Sequence, residues 1–207
     1  MVNSYEDLNG LQIDAIREVA SIGAGNAATA LSGVLDQKVK ITVPNVSVLG
    51  FDAAANVLGG PENIVSGVMV RMSGEMNGIM LYVQELDFIN VVLQSVLHKD
   101  ISDYSELTEM EVSALVEIGN IIISSYMTAL TRLLGVQVNL SVPGHCINMA
   151  GGILTVPMAE FGYCSDKILI MDGNFICGGQ ETSSKMLLVP DVASLNFLLE
   201  KLGVYSG

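Results

Sequence analysis

The chain has 207 residues, half of them apolar, and a net charge of −13. That acidity argues against nucleic acid as a partner, because phosphate backbones are repelled, while the length suffices for one sizeable core or two fused half-domains. Mean hydropathy is high at +0.51, yet the most apolar stretch, 115–136, is interrupted by Glu117, Asn120 and Arg132, so no membrane span is expected.

The opening MVNSYEDLNG has neither a basic nor an apolar leader segment, and a cytoplasmic protein is expected. A first helix is predicted from about Leu11 to Leu35, with Asn9 as its cap. Inside it, Gly23-Ala24-Gly25-Asn26-Ala27-Ala28 matches GxGxxA. A dinucleotide fingerprint needs a strand just before it. Here the preceding residues are helical, so close packing between two long helices is the expected role. The alternating VKITVP then reads as strand. Two β-like runs follow at roughly 64–72 and 77–84, turning around Ser73-Gly74-Glu75, and an amphipathic segment spans 86–98.

A second helix opens at Thr108, where Glu111 completes a capping box, and stops at Gly135. VQVNLSVP reads as strand, and β-like runs at roughly 167–177 and 185–189 turn at Cys177-Gly178-Gly179 before a last amphipathic segment, 191–202. Cys146, Cys164 and Cys177 show no CxxC spacing and are expected to be reduced thiols. His98 and His145 fall in no metal-ligand motif, and no nucleophile motif occurs, so no metal site is assigned.

The two halves are copies. At an offset of 99 residues, Thr29–Pro44 aligns with Thr128–Pro143, with seven identities in 16 ungapped positions. The same offset carries Asp14 to Ser113, Glu18 to Glu117 and Ser21 to Asn120. The copies span about 9–98 and 108–202 of one domain. The predicted fold is α+β: a pseudo-two-fold duplication, with two long helices displayed on an antiparallel β-sheet in two layers.

Ser113, Glu117 and Asn120 are spaced i, i+4, i+7 and share one helix face. The surrounding SALVEIGNIIISSYMTAL is nearly all apolar or small, so its glutamate must reach water or a partner. Gly119 beside it costs about 1 kcal/mol relative to alanine, which suggests close approach of another backbone. A solvated helix edge is the ordinary explanation of such a stripe. Its narrowness and its recurrence at Glu18 favour function.

The stripe belongs to a longer pattern: Asp or Ser, three residues, Glu, two residues, Asn, 22 residues, Pro. The second copy holds it complete in Ser113, Glu117, Asn120 and Pro143; the first has Asp14, Glu18 and Pro44 but Ser21 in place of Asn. With IGAGNAATALS and EIGNIIISSYMTAL beside it, this pattern resembles the CheC family of chemotaxis phosphatases, related to CheX and FliY, over nearly the whole chain. The chain looks like the short, free-standing type.

The resemblance implies hydrolysis of the aspartyl phosphate of a CheY-type response regulator. The regulator would supply Mg2+ and a lysine, so no cofactor is expected on this chain. Asn120 would hold the attacking water, Glu117 would contact the lysine, and Ser113 and Asp14 would touch the partner. Pro44 and Pro143 would serve the motif structurally. Glu18 and Ser21 would form a weakened first site, since serine is shorter than asparagine and lacks a planar amide. The alternative is a mainly non-catalytic adaptor that binds the receptor deamidase CheD or a regulator. The internal symmetry favours a monomer.

Overall fold

The computed structural model describes residues 2–160 and 167–204. The expectation for Cys164 therefore lies outside the described residues. Two long helices, α1 (Gly10–Val34) and α4 (Glu109–Leu134), each lead a copy. In the first copy β1 (Val39–Ile41), β2 (Asn45–Gly50), α2 (Phe51–Val57), β3 (Ile64–Gly74), β4 (Gly78–Gln84) and α3 (Leu86–Leu97) follow. The second repeats the order as β5 (Val138–Leu140), β6 (Gly144–Met149), α5 (Ala150–Glu160), β7 (Lys167–Cys177), β8 (Gln180–Pro190) and α6 (Val192–Lys201).

The eight strands among the described residues form one antiparallel sheet. Its order is β1 and β2, then β7, β8, β4, β3, then β5 and β6. The copies exchange their edge strands: β1 and β2 of the first pair with β7 of the second, while β5 and β6 of the second pair with β3 of the first. The adjacent β4 and β8 lie at the pseudo-two-fold. Neither copy therefore holds a complete sheet by itself.

Strand alternation sorts the core into two faces. Val68, Val70, Met80, Tyr82, Leu169, Met171 and Leu188 pack with α1, α3, α4 and α6. Val65, Leu81, Val83, Ile168, Ile170 and Leu187 pack instead with Ala54 and Leu58 of α2 and with Ala150, Ile153 and Leu154 of α5. The long helices share one face, and the short helices cover the other as a third layer. β8 is longer than the apolar pattern suggested, because the polar residues 180–184 continue the ladder with β7 as far as Gln180 opposite Cys177.

Helix α4 is long and apolar enough to cross a membrane by length and composition alone. In the fold its apolar side, Leu115, Ile118, Ile122, Ile123 and Leu130, belongs to the shared core. Two glycines set how closely the long helices approach their neighbours. A Cβ on Gly23 would meet the Tyr126 main-chain Cα at 2.9 Å, so the small-residue segment of α1 packs on α4. A Cβ on Gly119 would meet Val68 Cγ2 at 2.7 Å. The neighbour that Gly119 admits is thus a side chain of β3 rather than another backbone.

Candidate functional site

The two stripes are held by capped helices. At the start of α4 the Thr108 amide donates to Glu111 Oε2 at 2.8 Å, and Lys99 Nζ donates to Glu111 Oε1 at 3.0 Å. These bonds, the Thr108 hydroxyl foremost, hold the Glu111 carboxyl down at about 2. Gly135 ends the helix in the left-handed region at φ 67°. In α1 the box is Asn9 and Gln12: each side chain accepts from the other's backbone amide, at 3.0 and 2.9 Å.

At about 100° per residue, positions 113, 117 and 120 fall within an arc of about 60° on α4. Ser113 and Glu117 are exposed and Asn120 is half-buried; Asp14, Glu18 and Ser21 of α1 have the same exposures in the same order. Among the described residues, Glu117 has no hydrogen-bond or ionic partner within the chain, and neither has Glu18. Asn120 Oδ1 accepts one long bond from Ser124 Oγ at 3.5 Å, which leaves its amide nitrogen free. A carboxylate and an amide with unused hydrogen-bonding capacity thus sit one turn apart, facing outward.

The copies differ in chemistry. In the first, Asp14 is paired with Arg17 Nη1 at 2.5 Å. The position equivalent to Arg17 is Val116, so the second stripe carries no such cation and Ser113 stays unpaired. Serine replaces the amide at Ser21, as read from the sequence.

The motif prolines lie away from the stripes, in the breaks between β1 and β2 and between β5 and β6. Thr42, Val43 and Pro44 stand opposite only two residues of β7, and Ser141, Val142 and Pro143 opposite two of β3. Each trio is a β-bulge, where a residue without an N–H is tolerated. The ladder is repaired the same way twice. Asn174 N donates to the Thr42 hydroxyl at 2.8 Å, and Arg71 N donates to the Ser141 hydroxyl at 3.0 Å. Pro44 is buried and Pro143 half-buried.

One set of residues beneath the second stripe has no motif to announce it. Gln84 Nε2 donates to the Leu115 carbonyl at 3.0 Å, and Gln84 Oε1 accepts from Ser66 Oγ at 3.1 Å. His145 Nε2 lies 2.9 Å from the same hydroxyl. The serine's one proton is committed to Gln84, which assigns the His145 proton to Nε2 as donor. Burial lowers the His145 pKa, favouring that neutral form. Ser66 and Gln84 are both fully buried. Only their spacing in β3 and β4 hinted at them, as polar residues within otherwise apolar runs.

Among the described residues, no group of three or more His, Cys, Asp or Glu side chains is placed to hold a metal ion. Cys177 is buried and Cys146 exposed, neither in a disulfide, and burial raises both thiol pKa values.

Comparison with known proteins finds the same duplication. The CheC-like family model matches residues 11–48 and again 110–147. The "CheY-P phosphatase CheC" of Bacillus subtilis (strain 168) is 31% identical over 196 residues, covering 93% of this chain and 94% of that protein. The flagellar motor switch phosphatase FliY of the same organism is 30% identical over 143 residues, 69% of this chain and 37% of that one. Among solved structures, Thermotoga maritima FliY superposes with a TM-score of 0.74 at 24% identity, covering 97% of this chain and 100% of that chain.

Proposed function

The chain belongs to the CheC-like family, and from that premise we propose that it is a phosphatase acting on the aspartyl phosphate of a CheY-type response regulator in chemotaxis. The observation that carries this reading is the outward pair on α4: Glu117 without a partner and Asn120 with a free amide nitrogen, on a helix whose other side is core.

An aspartyl phosphate is a mixed anhydride. Water attacks phosphorus in line, the P–O bond to the aspartyl carboxylate breaks, and inorganic phosphate is released. The demand is for placement of the water and compensation of charge on the equatorial oxygens. Asn120 offers an acceptor and a donor in one rigid plane, so it orients water without acting as a base. Glu117, an acceptor one turn away, engages the regulator's lysine and fixes the docking geometry. Mg2+ comes with the regulator. Ser113 lies one turn further towards the helix start and touches the partner.

The first face is the weaker one. A water held by Ser21 would sit about 1–2 Å away from its position on an amide, and a shift of that size costs on the order of a hundredfold. Asp14 is also engaged by Arg17. These two features favour a second reading for this face alone: it binds a regulator, or a partner such as CheD, with little turnover.

Decay of a phosphorylated regulator tests the assignment. Catalytic turnover at substoichiometric protein supports an enzyme, whereas a stoichiometric effect supports a binder. Full activity in Asn120→Ala would rule out the second stripe as the hydrolytic site.

A further inference from the structure

The two most exposed large apolar side chains on any helix among the described residues are Leu11, at 68%, and Met110, at 66%. They are separated by 99 positions, the offset of the duplication. Each sits three residues before the first polar residue of its stripe: Leu11 before Asp14, and Met110 before Ser113. At about 100° per residue, Met110 lies within about 20° of Glu117, and all four positions of the second stripe fall within an arc of about 80°. Leu11 has the same relation to Glu18. A single exposed apolar residue needs no explanation. Two in equivalent places are different, because the copies differ at neighbouring positions: Asp14 matches Ser113, Arg17 matches Val116, and Ser21 matches Asn120.

Neither side chain has a packing reason for its identity. Both stand in the first turn of a helix whose cap is supplied by other residues, Asn9 with Gln12 and Thr108 with Glu111. Leaving that much apolar surface in water is unfavourable unless something covers it. The regulator docks on the same helix face if the stripe acts as proposed, so the cover and the substrate are one body.

We propose that Met110 is the apolar anchor that seats the phosphorylated regulator on the second stripe, and that Leu11 does so on the first. The inference rests on the function proposed above. It adds that the regulator presents an apolar surface about three turns of helix from its phosphoryl group, and that docking energy and water placement reside in different residues. Methionine suits the role at the active face, since its unbranched thioether adapts to a partner surface. The first face keeps an anchor although it lacks the amide, so it holds a regulator that it hydrolyses poorly.

The test is steady-state hydrolysis of a phosphorylated CheY-type regulator. Met110→Ala is expected to raise KM about tenfold with kcat nearly unchanged, and Met110→Leu to restore most of the affinity. Asn120→Ala is expected to do the reverse, lowering kcat with KM little changed. Wild-type KM in both Met110→Ala and Met110→Asp overturns the anchor while leaving the phosphatase reading intact. Absence of turnover by the wild type sinks both. For the first face, calorimetric titration with the regulator activated by beryllofluoride is expected to show two binding events, one abolished by Met110→Asp and the other by Leu11→Asp. A single event in the wild type overturns the role of Leu11. Both residues are exposed, so these substitutions leave the core untouched.

Discussion

The Gln84 side-chain amide donates to the Leu115 carbonyl at 3.0 Å, from beneath the turn of α4 that lies between Ser113 and Glu117. That carbonyl already serves the helix ladder, so the bond from β4 is an additional tie between sheet and stripe. Behind Gln84 stand Ser66 and His145, so three strands meet the helix through one buried polar chain. Such chains are costly when one member is missing.

Replacing Gln84 with leucine is expected to destabilise the fold by about 1–3 kcal/mol, because its bonds to the Ser66 hydroxyl and the Leu115 carbonyl are both lost in a dry site. Urea unfolding measures this. An unchanged midpoint would show that the chain of bonds contributes nothing net.

Three glycine substitutions separate helix propensity from packing. Propensity alone predicts that any mid-helix Gly→Ala stabilises by about 1 kcal/mol. Gly25 has nothing within 4 Å of an added Cβ, so Gly25→Ala is expected to raise Tm. Gly23→Ala would meet the Tyr126 Cα at 2.9 Å and Gly119→Ala the Val68 Cβ at 2.8 Å. Overpacking of this kind costs about 1–3 kcal/mol, which exceeds the propensity gain. Both are expected to lower Tm, and three equal shifts would refute the packing account.

Asn120→Ala is expected to slow phosphoryl hydrolysis on the order of a hundredfold, and Ser21→Asn to raise the activity of the first face. The informative background is the Asn120→Ala protein, in which any recovered turnover comes from α1. No gain from Ser21→Asn would mean that Arg17, paired with Asp14, or another feature limits that face.

Acid stability carries two signatures. Glu111 has a folded pKa of about 2 against an ordinary 4.5, so its contribution is present above about 4.5 and is lost as pH falls towards 2. Glu111→Gln is expected to flatten that part of the curve. His145 has a folded pKa below its ordinary 6.5. The unfolded chain therefore binds its proton first, and stability declines as pH falls below about 6.5. Unfolding midpoints from pH 8 to 3, with His145→Gln as comparison, check both; a midpoint flat across this range refutes the linkage.

Much of this was legible in the amino-acid order. Capping, helix ends and the stripe depend on neighbours a few residues apart: Thr108 with Glu111, Gly135 after Leu134, and Ser113, Glu117 and Asn120 on one face. Duplication was visible because both copies keep the same local pattern, and the GxGxxA segment could be set aside because it falls inside a helix. Less was legible where partners are remote. The bonds from His145 to Ser66 and from Gln84 to Leu115 join residues 79 and 31 apart, and no local spacing marks them.

The sequence by itself determined the repeat, the helices and which side chains share the outward face, since these follow from the 3.6-residue period and from side chains reaching their own backbone. Tertiary structure alone decided that the copies exchange edge strands across one sheet, that Gly119 makes room for Val68, and that Leu11 and Met110 stand uncovered beside their stripes. The physical reason is the same in each case. Register between strands about a hundred residues apart, and the exposure of a side chain, are set by which surfaces finally meet, and that is a property of the packed core rather than of any short segment.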